Sequence, residues 1–232
     1  MHSNRRSLKR LSFSEVVYMI PDNIEAYIFD LDGTLIDSNG VWKEIDRLIF
    51  EKNNVSLSDT ELNAAAAMNY SDFLGFLRSY GIVYTLDELK SELDGYAVIK
   101  YSSEIKLKSG VKEYVDKLKK AGKKIFLATA SPEKLYAPVL KNNGVYGYFD
   151  GFVTTEEAGA EKDCPDIYLL AAKKCGEEPH NCAVFEDILS GIKSAKSVGM
   201  FTVGVYDSCS ADEADSIKNA ADMYIMDFKE LL

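Results

Sequence analysis

The stretch Tyr27-Ile28-Phe29-Asp30-Leu31-Asp32-Gly33-Thr34-Leu35-Ile36-Asp37-Ser38 decides the fold. An apolar run rich in β-formers, starting at Ala26, ends in two aspartates one residue apart, and a glycine and a threonine follow at once. The unbroken run Ala26 to Leu31 reads as a strand covered on both faces. In an extended chain the side chains at i and i+2 share a face. Asp30 and Asp32 would then leave the strand end together until Gly33 turns the chain. Two carboxylates at such an edge suit a divalent cation and phosphoryl chemistry. The competing reading is a strand closed by an acidic turn, since Asp-Gly is ordinary turn chemistry.

Downstream, the pattern changes twice. From Val41 to about Lys106 apolar residues recur at helical spacing (Trp42, Ile45, Leu48, Ile49; Leu62, Ala66; Phe73, Leu74, Leu77; Leu86, Leu89, Leu93). Breaks are expected at Asn53-Asn54, Tyr70-Ser71-Asp72 and Tyr80-Gly81. This reads as a small helical bundle. After Ser109-Gly110 strands and helices alternate. The strands are Lys124 to Thr129, Phe149 to Thr154, Cys182 to Phe185, Phe201 to Val205 and Met223 to Ile225. The helices are Val111 to Lys120, Pro132 to Asn142 with Pro138 disturbing its middle, Asp166 to Cys175, and Ile192 to Val198. Such alternation predicts an α/β fold, a doubly wound parallel sheet with helices on both faces. Ligands then bind beyond the C-terminal ends of the strands. Three strand ends carry chemistry: Asp30 and Asp32, Thr129-Ala130-Ser131, and Glu186-Asp187, with Lys162 in the loop region between the last two. Singly, each is an ordinary cap, turn or surface cation; together they converge on one pocket.

Composition narrows the partners. Apolar residues are 47% and charged residues 28% of 232, and the net charge is −10. Sequence-independent nucleic-acid binding needs Lys and Arg against phosphates, so no nucleic-acid partner is expected. Cys164, Cys175, Cys182 and Cys209 form no C-x-x-C pair and only two histidines are present, which argues against zinc. Scattered thiols without a secretion signal fit a reducing cytoplasm. No stretch has the length of a transmembrane helix, and no membrane partner is expected. Residues 1–18 are basic at Arg5, Arg6, Lys9 and Arg10, and their apolar run is too short for a signal peptide. They read either as an N-terminal extension or as sequence upstream of a start at Met19.

The motifs D-x-D-G-T-L-x-D-S from Asp30, T-A-S from Thr129, K-x-x-P-D-x-Y from Lys162 and F-E-D-x-x-x-G-I-x-x-A from Phe185 resemble, in order and spacing, the haloacid dehalogenase superfamily. The resemblance runs from about Ala26 to the end. It is nearest the branch holding phosphoglycolate phosphatase and β-phosphoglucomutase. It implies a Rossmann-like core over residues 19–37 and 107–232, with an all-α cap inserted over 38–106. It implies Asp30 as nucleophile, forming an aspartyl-phosphate, and Asp32 as general acid/base. Mg²⁺ would be held by the Asp30 and Asp187 carboxylates, the Asp32 backbone carbonyl and Glu186. Thr129, the Ala130 N–H and Lys162 would bind the transferring phosphoryl oxygens. Asp32 favours phosphoryl transfer over dehalogenation, which has no alkoxide to protonate.

Two departures stand out: Asp163 replaces a proline common in the third motif, and Ile188 a serine common in the fourth. The arginine-bearing cap loop and the lysine after the second motif that β-phosphoglucomutases share are not evident at Met68-Asn69-Tyr70-Ser71-Asp72 or at Pro132-Glu133. The expected activity is therefore hydrolysis of a small phosphorylated metabolite, a sugar phosphate or a phosphoglycolate-like ester. The alternatives are a phosphosugar mutase and a non-catalytic phospho-ligand-binding protein on the same fold. Asn69, Tyr70 and Arg78 are the cap's candidate substrate contacts, and Trp42 is expected in the cap core. Segments 38–40 and 106–110 are expected to act as hinges.

Overall fold

The computed structural model describes residues 19–38, 40–66, 68 and 70–232. The expected N-terminal extension and Asn69 lie outside them. The central strand is β1 (Ala26–Phe29). It is flanked by β2 (Lys124–Thr129) and β4 (Cys182–Glu186), with β3 (Gly151–Thr154) beyond β2 and then β5 (Phe201–Val205) and β6 (Met223–Ile225) beyond β4. All five pairings are parallel and the order is β3-β2-β1-β4-β5-β6. The order reverses between β1 and β4, the switch point where the two halves of such a sheet leave a crevice. Asp30 and Glu186-Asp187 stand on either side of it.

Period-two alternation divides the sheet's side chains between two cores. Tyr27, Phe29, Leu127, Phe185 and Val203 face one, where Phe29 and Phe185 stack with centroids 4.5 Å apart. Ala26, Ile28, Ala128 and Val184 face the other. Helix α5 (Val111–Lys120) covers the first face with Tyr114, Val115 and Leu118; α8 (Asp166–Cys175) covers the second with Ile167, Tyr168 and Ala171. The boundaries of α5, α8, β2, β5 and β6 coincide with the patterns in the sequence.

Four helices lie among the described residues between 41 and 103: α1 (Val41–Lys52), α2 (Asp59–Ala66), α3 (Tyr70–Ser79) and α4 (Leu86–Ser103). Helix α4 opens on a capping box in which Thr85 and Glu88 satisfy each other's backbone N–H. Its Leu89, Leu93, Ala97 and Tyr101 are buried. The two linkers to the sheet are pinned together: Asp37 N–H donates to Lys106 O at 3.0 Å and Lys108 N–H to Leu35 O at 2.9 Å.

Several boundaries differ from the sequence reading. Tyr70-Ser71-Asp72 is the first turn of α3, not a break; polar residues in an N-terminal turn satisfy the helix dipole as well as they mark a loop. Helix α6 spans Glu133–Asn142 with Pro132 as its N-cap, and Pro138 does not end it. Helix α9 begins at Leu189, three residues earlier than Ile192. Two short helices, α7 (Thr155–Ala158) and α10 (Ala214–Ala220), have too few apolar residues to show a period. No helix among the described residues is long and apolar enough to cross a membrane.

Candidate active site

Strand β1 stops at Phe29, and Asp30 N–H continues the ladder onto Phe185 O at 3.0 Å. That bond fixes Asp30 level with the end of β4, and its side chain is buried. Residues 31–36 then fold on themselves: Leu35 N–H bonds Leu31 O at 2.9 Å and Gly33 N–H bonds Ile36 O at 3.2 Å. The two aspartates therefore diverge, because the chain leaves the extended state before Asp32.

Asp30 joins Glu186 and Asp187 in a buried cluster whose ligand oxygens all lie within 4.8 Å of one another. Lys162, buried in the loop between α7 and α8, donates to both Asp30 and Glu186 Oε1, the latter at 2.6 Å. Tyr168 Oη donates to the same Glu186 oxygen at 2.7 Å. Thr34 Oγ1 donates to Asp187 Oδ1 at 3.0 Å. Gly33 sits at φ +79°, and a Cβ there would overlap the Asp187 carboxylate, so only glycine fits this turn.

Three carboxylates face one lysine. Burial, with the neighbouring Glu186 and Asp187 charges adding to it and Lys162 opposing it, pushes the Asp30 carboxyl well up. Burial and Glu186 likewise push Asp187 up to about 7. Burial disfavours the Lys162 charge, but Asp30 and Glu186 outweigh it and keep the ammonium protonated. The cluster offers three acidic groups to one cation, and the raised values of Asp30 and Asp187 record how poorly Lys162 alone supports all three as carboxylates. Buried hard oxygens so placed fit a divalent cation of the Mg²⁺ type.

Asp32 faces elsewhere. Ser131 Oγ, just past β2, donates to its Oδ2 at 2.7 Å. Tyr101 Oη, from α4, donates to its Oδ1 at 2.5 Å. Tyr101 is fully buried, and burial together with the Asp32 charge raises its pKa, so the hydroxyl stays a donor. The Trp42 indole N–H reaches the same Tyr101 oxygen. At the end of β2, Thr129 Oγ1 accepts from Ser131 N–H at 3.0 Å, and the Thr129 side chain is buried. This bond shapes the Thr129-Ala130-Ser131 turn beside Asp32. On the far side, Lys108 pairs with Asp207 at 2.7 Å and donates to Tyr206 O at 2.8 Å and to Gly33 O, tying the turn after β1 to the end of β5.

The structure thus gathers Asp30, Asp32, Thr129, Ala130, Lys162, Glu186 and Asp187 at the strand ends. Asp32 contributes no carboxylate oxygen to the metal-type cluster. Tyr70 is exposed at the start of α3, while Arg78 is exposed in the last turn of the same helix. Trp42 is not packed in the cap core but 41% exposed, with its indole N–H toward the Tyr101 hydroxyl. Three partners escaped the sequence reading. Tyr168 carried a signal, since it closes the K-x-x-P-D-x-Y motif. Tyr101 falls in helical register with Leu93 and Ala97, and Lys108 lies in a linker, so neither position by itself marks a partner of the site.

Comparison with known proteins identifies the family. The family model of haloacid dehalogenase-like hydrolases matches residues 24–199. YhcW of Bacillus subtilis, a proposed phosphatase, is 32% identical over 181 residues, covering 76% of this chain and 81% of that protein. A phosphorylated carbohydrates phosphatase of Thermotoga maritima is 28% identical over 178 residues, covering 76% and 82%. Among solved structures, a proposed β-phosphoglucomutase from Thermotoga maritima superposes with a TM-score of 0.80 at 26% identity, covering 90% of this chain and 97% of that one. With its four motifs assembled at the switch point of the sheet, the chain belongs to the haloacid dehalogenase-like hydrolases.

Proposed function

We propose that the protein is a Mg²⁺-dependent phosphatase of small phosphorylated metabolites, sugar phosphates foremost, and that it works through an aspartyl-phosphate on Asp30. The observation that carries this reading is the separation of two aspartates by one turn. Asp30 lies in the cation-binding cluster, and Asp32 is held apart by Tyr101 and Ser131. In the first half-reaction an Asp30 oxygen attacks phosphorus, the ester P–O bond breaks, and Asp32 gives its proton to the leaving alkoxide. In the second, Asp32 takes a proton from water, the hydroxide attacks phosphorus, and Asp30 leaves as a carboxylate with inorganic phosphate released. Thr129, the Ala130 N–H and Lys162 bind the equatorial oxygens. The Asp30 and Asp187 carboxylates, the Asp32 carbonyl and Glu186 would hold the metal. When bound, Mg²⁺ supplies positive charge that offsets repulsion between Asp30 and the phosphate dianion. Tyr101 and Ser131 aim the Asp32 carboxyl at the ester oxygen. Monoester hydrolysis is so slow unaided that positioning and electrostatics supply on the order of 20 kcal/mol.

The proposal includes a core of residues 19–37 and 107–232, a cap of 38–106 carried on the paired linkers, and a cytoplasmic setting. A mutase reading has one observation in its favour, the name of the Thermotoga maritima structural relative. Release of phosphate from p-nitrophenyl phosphate with Mg²⁺, abolished by EDTA, tests the hydrolase; no release overturns it. Incubation with β-glucose 1-phosphate separates the two activities. Free phosphate is expected, and glucose 6-phosphate without it would establish the mutase.

A further inference from the structure

The cap holds a buried carboxyl that the reaction does not use. Asp46 lies one turn after Trp42 on α1, on the same face, and is only 8% exposed. No hydrogen bond or ion pair to it is formed among the described residues, and burial alone pushes it up to about 6. It lines a cavity of about 220 Å³ with Trp42, Met68, Tyr70 and Phe73, room for about seven waters. Trp42 is a shared wall: it borders this cavity and reaches the Tyr101 hydroxyl that bonds Asp32. The Trp42 indole therefore stands between the cavity and the Tyr101–Asp32 pair. Asp46 stands about 6 Å further along the helix axis than Trp42, by the helical rise.

The Asp46 carboxylate has no protein donor and opens onto the cavity, where water or a ligand must solvate it, and a neutral hydroxyl ligand would leave its charge uncompensated. A cation cancels it. Aromatic faces attract the same kind of group through their quadrupoles, and the Tyr70 ring already draws one, Lys90 Nζ, to 5.2 Å.

We propose that this pocket binds an ammonium group on the alcohol half of the substrate, with Asp46 as its counter-charge and Trp42, Tyr70 and Phe73 as its aromatic wall. The favoured substrates are then phosphomonoesters of amino alcohols or amino sugars. This rests on the phosphatase reading above and names its substrate class.

The test compares kcat/KM within matched pairs: glucosamine 6-phosphate against glucose 6-phosphate, and phosphoethanolamine against ethylene glycol monophosphate. The ratio within one enzyme cancels any general change in activity. In the wild type the amine member of at least one pair is expected to lead by roughly tenfold or more. In Asp46→Asn the ratio should fall to near one, chiefly through KM. In Asp59→Asn, which removes an equal charge from the exposed start of α2, the ratio should stay at its wild-type value. A wild-type ratio near one in both pairs, or a ratio unmoved by Asp46→Asn, overturns the assignment. Equal slowing of both members by Asp46→Asn overturns it too, in favour of a hydroxyl-binding carboxyl. Hydrolysis of p-nitrophenyl phosphate by the wild type separates the failures. If it proceeds while the pairs show no discrimination, only the ammonium site falls; if it does not, the phosphatase reading falls and takes this one with it.

Discussion

Asp30 and Asp46 are both buried carboxyls, one at the sheet edge and one in the cap, and their surroundings differ. Asp30 receives a donated bond from Lys162 and stands against Glu186 and Asp187, themselves held by Tyr168 and Thr34. Asp46 has apolar and aromatic neighbours and no donor. Chemistry needs atoms held in place before substrate arrives, so the strand ends are cross-linked by hydrogen bonds. Selectivity needs a group that is unsatisfied until the correct ligand enters. Removing Lys162 at the one site and the Asp46 charge at the other should therefore change stability with opposite signs.

The largest effect is expected at Asp30. Asp30→Asn keeps size and burial but removes the proposed nucleophile. Turnover of p-nitrophenyl phosphate should fall by about 10⁴-fold or more, as for loss of an attacking group elsewhere, with the far-ultraviolet circular dichroism unchanged. Residual activity above a hundredth of wild type would show that Asp30 forms no covalent intermediate.

Lys162→Met tests the cross-linking itself. It leaves Asp30 and Glu186 without their cation, and removal of one partner of a buried pair costs about 3–5 kcal/mol. Urea unfolding of the metal-free protein at pH 7.5 should show a loss of that size, partly restored by saturating Mg²⁺. The same cluster predicts a pH dependence of metal binding. Asp187 keeps its proton up to about pH 7 in the metal-free fold, and a ligating carboxylate must lose it. Mg²⁺ affinity should therefore strengthen from pH 5 to pH 8 and level off above. An affinity flat over that range would remove Asp187 from the metal site.

Tyr101→Phe takes away one hydroxyl at the join between cap and sheet. Asp32 is half-buried, so water can replace the lost donor and stability should change by less than about 1 kcal/mol. Aim is what suffers: kcat should drop about tenfold with KM little altered, and the acid limb of the pH–rate profile should move. A purely structural Tyr101 would instead lower the melting temperature and leave that profile in place.

The two regions were not equally legible in the sequence. Asp30, Lys162, Glu186 and Asp187 could be brought together on paper because strand ends of a parallel sheet lie at one level, so one-dimensional spacing converts into three-dimensional proximity. Helices of the cap obey no such rule. Trp42 and Asp46 could be seen to share a face from their i,i+4 spacing, but which way that face turned depended on packing against α4. Tyr101 illustrates the limit: its position fits an apolar stripe with Leu93 and Ala97, and only the tertiary fold shows its hydroxyl meeting Asp32. The early turn after Phe29 is a related miss, since β-propensity runs through Leu31 and the Leu35-to-Leu31 hydrogen bond that ends the strand is invisible to it.

The effect at Asp46 carries the clearest sign. Asp46 is raised from 3.8 to about 6 by burial, so the fold retains a proton that the unfolded chain releases. The linked stability is complete below pH 4 and is lost as the pH rises through 6. Asn has no such linkage and nearly the same shape, and no partnered bond is sacrificed by the change. Asp46→Asn should therefore match the wild type at pH 4 and be more stable by about 1–2 kcal/mol at pH 8, after allowance for water relaxing around the carboxyl. The gap should open between pH 4 and pH 6 and stay level above pH 7. Urea unfolding of both proteins across that range is the measurement, and Asp30 and Asp187 titrate alike in each, so they cancel in the difference. A variant less stable than wild type at pH 8 would mean that Asp46 makes a stabilising bond in the folded protein, and the contrast between the two carboxyls would collapse. A gain confined to high pH would mark Asp46 as a charge kept at a cost to the fold, which is the trade expected of a residue retained for its ligand.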